Sequence, residues 1–301
     1  MTTQLESFTN CHKNPIKITT EFVSSFVNFQ DNIFKQPTVN YLCSNQNLHH
    51  YYYENKDSGW GCLYRTIQTV SSELYTFGKS KDNEFMIPKI KEMQKYFDSS
   101  EKLSNLILSD QRCVSDKQER LKVISQQSDM VIQVGSSTWF EPWHAKFFFL
   151  SRLGAEFRLM CYKAHNKVSN GRSRKTSDLE FEHLVGFQNL VQLLCSHFKK
   201  QENQEKKELQ NKEQQTVAPI ILDNSISAFT LLGIRVNPET EDCCMWISDP
   251  HVMMEPQIYG LYYMVYDKEG KMISSSLENT CFSSSDFFNN EWMLLIPDKL
   301  D

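Results

Sequence analysis

Residues 57–69 read DSGWGCLYRTIQT, a cysteine set directly after Gly-Trp-Gly and directly before a run with helical spacing. From Cys62 the apolar positions Leu63, Ile67, Val70, Leu74 and Phe77 recur every three or four residues, and Gly78 marks the expected end of the helix. That spacing places Cys62 at a helix N-terminus, where unpaired backbone N–H groups and the helix dipole favour a thiolate. The thiolate, not the thiol, is the nucleophilic form of cysteine. Asp57 or Ser58 is available to shape the turn into the helix. Gly59 and Gly61 carry no Cβ, which suits close approach of a substrate backbone to the sulfur. Trp60 between them is suited to wall a narrow cleft. Taken alone the stretch leaves two readings open: a nucleophile, or a packed cysteine with a core indole in a tight turn. A nucleophile needs a base from elsewhere in the chain.

That base is sought among eight histidines. His12, His165 and His183 lie in polar surroundings and His49-His50 in a polar–aromatic run, and all five read as solvated. His144 and His197 fall within helical patterns as core or boundary groups. His251 differs because it ends the stretch ISDPH at 247–251. In extended backbone, residues i and i+2 share a face, so Asp249 and His251 stand side by side. Pro250 restricts the backbone between them. A carboxylate beside an imidazole holds its tautomer and stabilises the imidazolium. An ordinary turn ending a strand is the alternative, and geometry by itself decides neither way.

The surrounding composition bounds the problem. The chain has 301 residues, 40% apolar and 23% charged, with a net charge of −5. That is long enough for one large domain with a full core. The negative charge argues against a nucleic-acid binder, which normally shows a basic face. No stretch approaches the about 20 apolar residues that span a bilayer, and the first residues carry no apolar signal-peptide core. The nine cysteines are irregularly spaced and include no Cys-x-x-Cys pair. Neither a zinc site nor any other metal or cofactor site has a basis in the sequence. A reducing compartment, cytoplasm or nucleus, with most cysteines acting as small buried hydrophobes, is the expectation.

Around the motifs the chain reads as helices first and strands afterwards. Residues 1–45 are weakly patterned and read as an N-terminal arm or extension; residues 46–301 read as the main domain. Helix is expected over 84–108, with Ile87, Ile90, Met93 and Phe97 on one side, and a buried strand over DMVIQVG at 129–135. EPWHAKFFFLSRLG at 141–154 reads as a helix with Pro142 near its start and Gly154 just past its end. EFRLMCY at 156–162 reads as a strand, as do APIILDN at 218–224 and AFTLLGIRV at 228–236, the latter forming a hairpin with CCMWISDPH at 243–251. Two polar insertions interrupt the pattern, a basic, turn-rich one at 163–178 and one at 199–215 whose only apolar residue is Leu209. The sum is an α+β domain.

The motifs resemble those of the ubiquitin-fold-modifier-specific proteases. In that family Gly-Trp-Gly-Cys is followed by Tyr-Arg-Thr/Ser-x-Gln-Thr, as at 59–69 here. TWFE at 138–141 sits where the family has Asn/Gly-Trp-Ile-Gly before a helix. APIILDNSISAFTLLGIRVNPETEDCCMWISDPH at 218–251 is similar to its segment ending in Asp-Pro-His, and SSSDFFNNEWMLLIPDKL at 283–300 to its C-terminal aromatic strand. The resemblance covers about 50–301, with insertions. The autophagin family also uses Gly-Trp-Gly-Cys and Asp-Pro-His. It usually has Met after the Cys, however, and an Ile-Pro-Leu-Arg-Leu-Gly stretch absent here, so Tyr64-Arg65-Thr66 favours the former.

The resemblance implies a papain-like α+β cysteine protease fold with a mainly antiparallel sheet. It implies Cys62 as nucleophile, His251 as general base and acid, Asp249 as orienting carboxylate, and a tyrosine upstream of the Cys as oxyanion donor. That tyrosine is Tyr53, with Tyr52 the alternative because this stretch is shorter than the family's usual spacing. Trp60 and Trp139 are expected to contact substrate; Trp139 is otherwise a core residue. The implied partners are the ubiquitin-fold modifier and its conjugates, with no nucleic acid and no transmembrane segment. A cytoplasmic enzyme is expected, at the endoplasmic reticulum only through another protein. The alternatives are an autophagin-like or deubiquitinating protease, or a non-catalytic modifier binder, against which the intact Cys62, Asp249 and His251 speak. Val252, Leu222–Ser225 and Phe140-Glu141 depart from the family pattern at the rim, which bears on modifier identity more than on chemistry. Arg65 and Gln68 match the motif and read as structural.

Overall fold

The structure, a computed structural model, describes residues 16–17, 39–42, 48–53, 56–74, 87–109, 131–164, 182–199, 217–251, 261–275, 288 and 291–298. In chain order the elements are β1 (Ile16–Lys17), β2 (Val39–Leu42), β3 (His49–His50), α1 (Cys62–Leu74), α2 (Ile90–Gln94), α3 (Ser100–Ser109), α4 (Pro142–Leu153), β4 (Phe157–Lys163), β5 (Glu182–Val185), α5 (Phe187–Lys199), β6 (Ile220–Asp223), β7 (Ala228–Val236), β8 (Cys243–Ser248), β9 (Leu261–Tyr266), β10 (Met272–Ser275) and β11 (Trp292–Pro297).

One sheet organises the fold, in the order β10-β9-β8-β7-β6-β11-β4-β5, with β2 also paired to β7. Every pair is antiparallel except β4–β5, so the sheet is mixed but mostly antiparallel. Both faces are covered, and the two-residue period of a strand shows how. In β11, Trp292, Leu294 and Ile296 join one apolar cluster while Met293 and Leu295 join the other; β4 divides likewise, Met160 and Tyr162 against Phe157, Leu159 and Cys161. Helix α5 packs Leu190, Val191, Leu194 and Phe198 into the first cluster. Helices α1 and α4 pack Leu63, Ile67, Val70, Phe147, Phe148 and Phe149 into the second. The result is a three-layer α+β fold with the predicted hairpin, β7–β8, near its centre.

Helix α4 begins with Pro142 as its first residue and ends at Gly154 with φ +63°, whose N–H reaches the Leu150 carbonyl at 3.0 Å. A glycine tolerates that left-handed backbone at little cost. Two expectations are corrected. Residues 84–108 do not make one helix: among the described residues, α2 and α3 are separated by a turn at 95–99, and the Ser99 hydroxyl accepts the Lys102 N–H at 3.3 Å to start α3. The apolar spacing of Ile90, Met93 and Phe97 continues across that turn, which is why it reads as helix. The strand expected at 129–135 is absent over its described part, 131–135. There the Ile132 N–H goes to the Phe97 carbonyl at 2.7 Å and the Gly135 N–H to the Gln94 side chain at 2.7 Å. Its backbone is satisfied by a helical hairpin, not a sheet neighbour.

From residues 1–45, β1 pairs with β3 and β2 with the second half of β7. The insertion at 163–178 beyond Ala164 and that at 199–215 beyond Lys199 lie outside the described residues, as does the helix end expected at Gly78. No helix among the described residues is long and apolar enough to cross a membrane.

Candidate active site

The turn before α1 explains most of the Gly-Trp-Gly-Cys motif as architecture. The Asp57 carbonyl accepts the Gly61 N–H at 2.8 Å and the Trp60 N–H at 3.3 Å, and Gly59 stands at φ +87°, where only glycine is unstrained. A Cβ on Gly61 would lie 2.7 Å from Asp57 Oδ2 and 2.9 Å from its carbonyl oxygen. Asp57 therefore occupies the space that a Cβ on Gly61 would need, a structural reason for glycine at this position. Asp57 cannot retreat, since Arg65 Nε donates to its Oδ2 at 2.6 Å in a nearly buried ion pair. Arg65 also donates to Gln68 Oε1 at 3.1 Å, and Gln68 Nε2 donates to the Pro88 carbonyl at 2.7 Å. Gly61→Ala is expected to destabilise the fold by about 1–3 kcal/mol, seen as a lower urea midpoint at unchanged slope.

This clamp fixes the first residue of α1, Cys62, which is buried at 0% exposure. All of α1 is buried, polar residues included, and its polar face organises the segment 48–53. The His49 N–H donates to Ser72 Oγ at 2.8 Å and the Tyr51 N–H to Thr69 Oγ1 at 3.0 Å. Alternate residues of an extended segment thus follow one face of the helix towards its N-terminus. The next in that series is Tyr53, whose hydroxyl hydrogen-bonds the Cys62 sulfur. Tyr52 points away and stacks on His50 with ring centroids 5.9 Å apart. Of the two tyrosines weighed, Tyr53 meets the sulfur.

His251 reaches the same sulfur from the end of β8. It hydrogen-bonds Cys62, while its Nδ1 meets Asp249 Oδ1 at 2.6 Å. The His251 backbone N–H donates to that same oxygen at 2.8 Å. Asp249 is buried, and its Oδ2 accepts from Tyr262 at 3.4 Å. The Tyr53 N–H donates to the Pro250 carbonyl at 2.9 Å, and the Tyr53 ring meets the imidazole edge-on at 5.0 Å. Phe229 packs on the other side at 5.4 Å. The structure therefore brings Cys62, Tyr53, His251 and Asp249 into one hydrogen-bonded group across 198 positions of sequence.

Electrostatics follow from the geometry. Burial pulls the His251 pKa down, but hydrogen bonds to Asp249 and Cys62, with their charges, outweigh it and raise the pKa to about 9. The imidazole is thus protonated at neutral pH. Burial, then the charge and hydrogen bond of Cys62, push the Tyr53 phenol far above its ordinary value, so it stays a donor.

Trp60 is half-buried, its Nε1 donating to the Lys56 carbonyl at 3.2 Å and its ring standing edge-on to Tyr64 at 5.6 Å. Trp139 is an exposed large hydrophobic residue at 38%, not a core group. Its loop is held to Tyr64 from both sides, by the Thr138 carbonyl at 3.0 Å and by Phe140 at 4.0 Å. Trp60 therefore packs on Tyr64, two residues beyond Cys62, and the two neighbours of the exposed Trp139 are fastened to the same tyrosine. Sequence reasoning missed Phe229 and Tyr262. The hairpin register carries the signal for both: Leu231 and Tyr262 both stand opposite Ile247, so Phe229 and Tyr262 share the face of Asp249. It also misread His50, which is buried. Among the described residues no group of three or more His, Cys, Asp or Glu side chains could hold a metal ion.

Comparisons with known proteins bear on the family and the fold. The sequence model of Peptidase family C78 matches residues 37–282. The crystal structure of UfSP from C. elegans superposes with a TM-score of 0.50 over 91% of this chain, at 14% identity. This chain spans only 37% of the length of that protein. No curated protein sequence matches significantly. The resemblance drawn from the motifs is borne out, as is the papain-like α+β class. This chain belongs to peptidase family C78, the UfSP family of cysteine peptidases.

Proposed function

We propose that this chain is a thiol peptidase that cleaves after the C-terminal Val-Gly of the ubiquitin-fold modifier, maturing its precursor, releasing it from conjugates, or both. The observation that carries the proposal is the shared sulfur: His251 and Tyr53 both hydrogen-bond Cys62, and Asp249 holds the far side of the imidazole. His251 holds the proton taken from Cys62, and the thiolate attacks the glycine carbonyl carbon. The oxyanion is held by the Tyr53 hydroxyl and the Cys62 backbone N–H. His251 gives its proton to the leaving amine, a thioester remains, and a water deprotonated by His251 hydrolyses it. Asp249 keeps the imidazole in the tautomer and orientation that both transfers need.

The complete burial of Cys62 supports a thin, flexible substrate tail, which reaches an enclosed sulfur more readily than a bulky one. Trp60 and Trp139 are assigned to the walls that admit such a tail and reject bulkier ones. The test is side-by-side cleavage of the ubiquitin-fold modifier, ubiquitin and the autophagy modifier, each with a C-terminal extension. Cleavage of the first alone supports the reading; preference for either of the others overturns the assigned substrate. Tyr53→Phe is expected to lower kcat by about 100-fold with little change in KM, because it removes one oxyanion donor. Tyr52→Phe should leave kcat near wild type.

A further inference from the structure

His50 is buried at 1% exposure, and its Nδ1 lies 2.7 Å from Ser248 Oγ. Its Nε2 is also buried and has no hydrogen-bond partner among the described residues. An unpaired lone pair costs less than an unpaired N–H, so the proton is assigned to Nδ1, which donates to Ser248. Ser248 is the last residue of β8 and immediately precedes Asp249-Pro250-His251. His50 belongs to the segment that ends in Tyr53, and three residues further along the Tyr53 N–H holds the Pro250 carbonyl. On its alternate residues the same segment is bonded to Ser72 and Thr69 of the Cys62 helix. One short stretch of chain is therefore fastened both to the helix that carries the sulfur and to the strand end that carries the imidazole.

We propose that His50 is a positioning residue: through Ser248 it locks the end of β8 to the segment 48–53 and so sets His251 and Asp249 in register with Cys62 and Tyr53. A side-chain tie is needed at that point because β8 ends there. Ser248 is the last residue of β8 paired to both neighbours, Thr230 and Leu261. Beyond it, Asp249 and His251 are held by side-chain and turn contacts. A neutral imidazole suits the task, since its strength as a tie does not change over the working pH range. Burial lowers the His50 pKa to about 3, so it is neutral at neutral pH, where His251 is protonated. Its ring also stacks on Tyr52, which gives that tyrosine a supporting place beside the site.

This inference rests on the reading of Cys62 and His251 as the reactive pair, but not on which modifier is cut. Iodoacetamide alkylation of Cys62, followed across pH in the full chain, reports on the pair without a protein substrate. Wild type is expected to be alkylated at Cys62 at pH 6, where the protonated His251 pairs with the sulfur. Ser248→Ala and His50→Leu should each lower the rate at pH 6 by about tenfold or more while leaving the rate at alkaline pH unchanged. The double variant should lose no more than either single one. His50→Asn, whose amide places a donor near the Nδ1 position, should recover most of the rate. Should His50→Leu not fold, Ser248→Ala removes only a hydroxyl and answers the same question. A folded Ser248→Ala with the wild-type profile, or a His50→Asn no better than His50→Leu, would overturn the inference while leaving the protease reading intact. A wild type without low-pH reactivity overturns both.

Discussion

Cys62→Ser lowers kcat/KM for a precursor extended beyond Val-Gly by at least about 10,000-fold, with binding of the modifier unchanged. The size follows from the chemistry: the hydroxyl occupies the same place, but its alkoxide is far less accessible beside an imidazole tuned to a thiol, and groups that act as a unit fail together. Retained binding follows because Cys62 is fully buried and contributes little surface to a docked modifier. A titration of modifier binding alongside the rate assay separates the two. A variant that keeps a hundredth of the wild-type rate would show that another of the nine cysteines, or no cysteine, does the chemistry.

His251→Ala is expected to lower kcat/KM by about 10,000-fold and to abolish the pH dependence that the imidazole creates. In wild type, the amine leaves only with the proton that His251 supplies, so activity falls as pH rises through about 9. The same group contributes to stability with a definite sign. Its folded pKa lies above the ordinary 6.5, so the folded state binds the proton more tightly than the unfolded one. The stabilisation is full below about pH 6.5 and is lost as pH climbs through about 9. Wild type should therefore lose both activity and thermal stability along that alkaline limb, and His251→Ala should lose the stability difference with it. Paired thermal melts at pH 6 and pH 10 read this directly, and equal differences in both proteins would refute the assignment of the proton to His251.

The site was legible in the sequence where local rules decide geometry. A cysteine at the start of a helical period lies at the helix N-terminus, and Asp249 and His251 share a face by the two-residue period of a strand. Tyr53 was legible only through the family resemblance, because its placement depends on Thr69 and Ser72 holding a remote segment along the helix. His50 was misread as solvated: its neighbours His49, Tyr51 and Tyr52 are polar or amphipathic, and only the long-range contact with Ser248 shows that it is inside. The glycines of the motif were legible as special, but the structural need for Gly61 was not, since the group that fills the room is Asp57, four residues back.

The fold was read well along its strands and less well between its helices. β6, β7, β8 and β11 are apolar on both faces because helices cover both sides of the sheet, and such runs stand out in a sequence. The stretch 131–135 has the same look. It differs only in where its N–H groups go, to Phe97 and Gln94, and that choice is tertiary. Likewise the turn at 95–99 interrupts a run whose apolar spacing never falters, so periodicity alone cannot see it.

Underlying every step is a sulfur held jointly by an imidazole and a phenol brought from distant parts of the chain. Peptide mapping after reaction with the ubiquitin-fold modifier carrying a C-terminal vinyl ester is the most direct test. A single adduct on Cys62 is expected, formed at neutral pH and lost in His251→Ala. An adduct spread over several cysteines, or one on Cys62 that forms equally fast without His251, would contradict it.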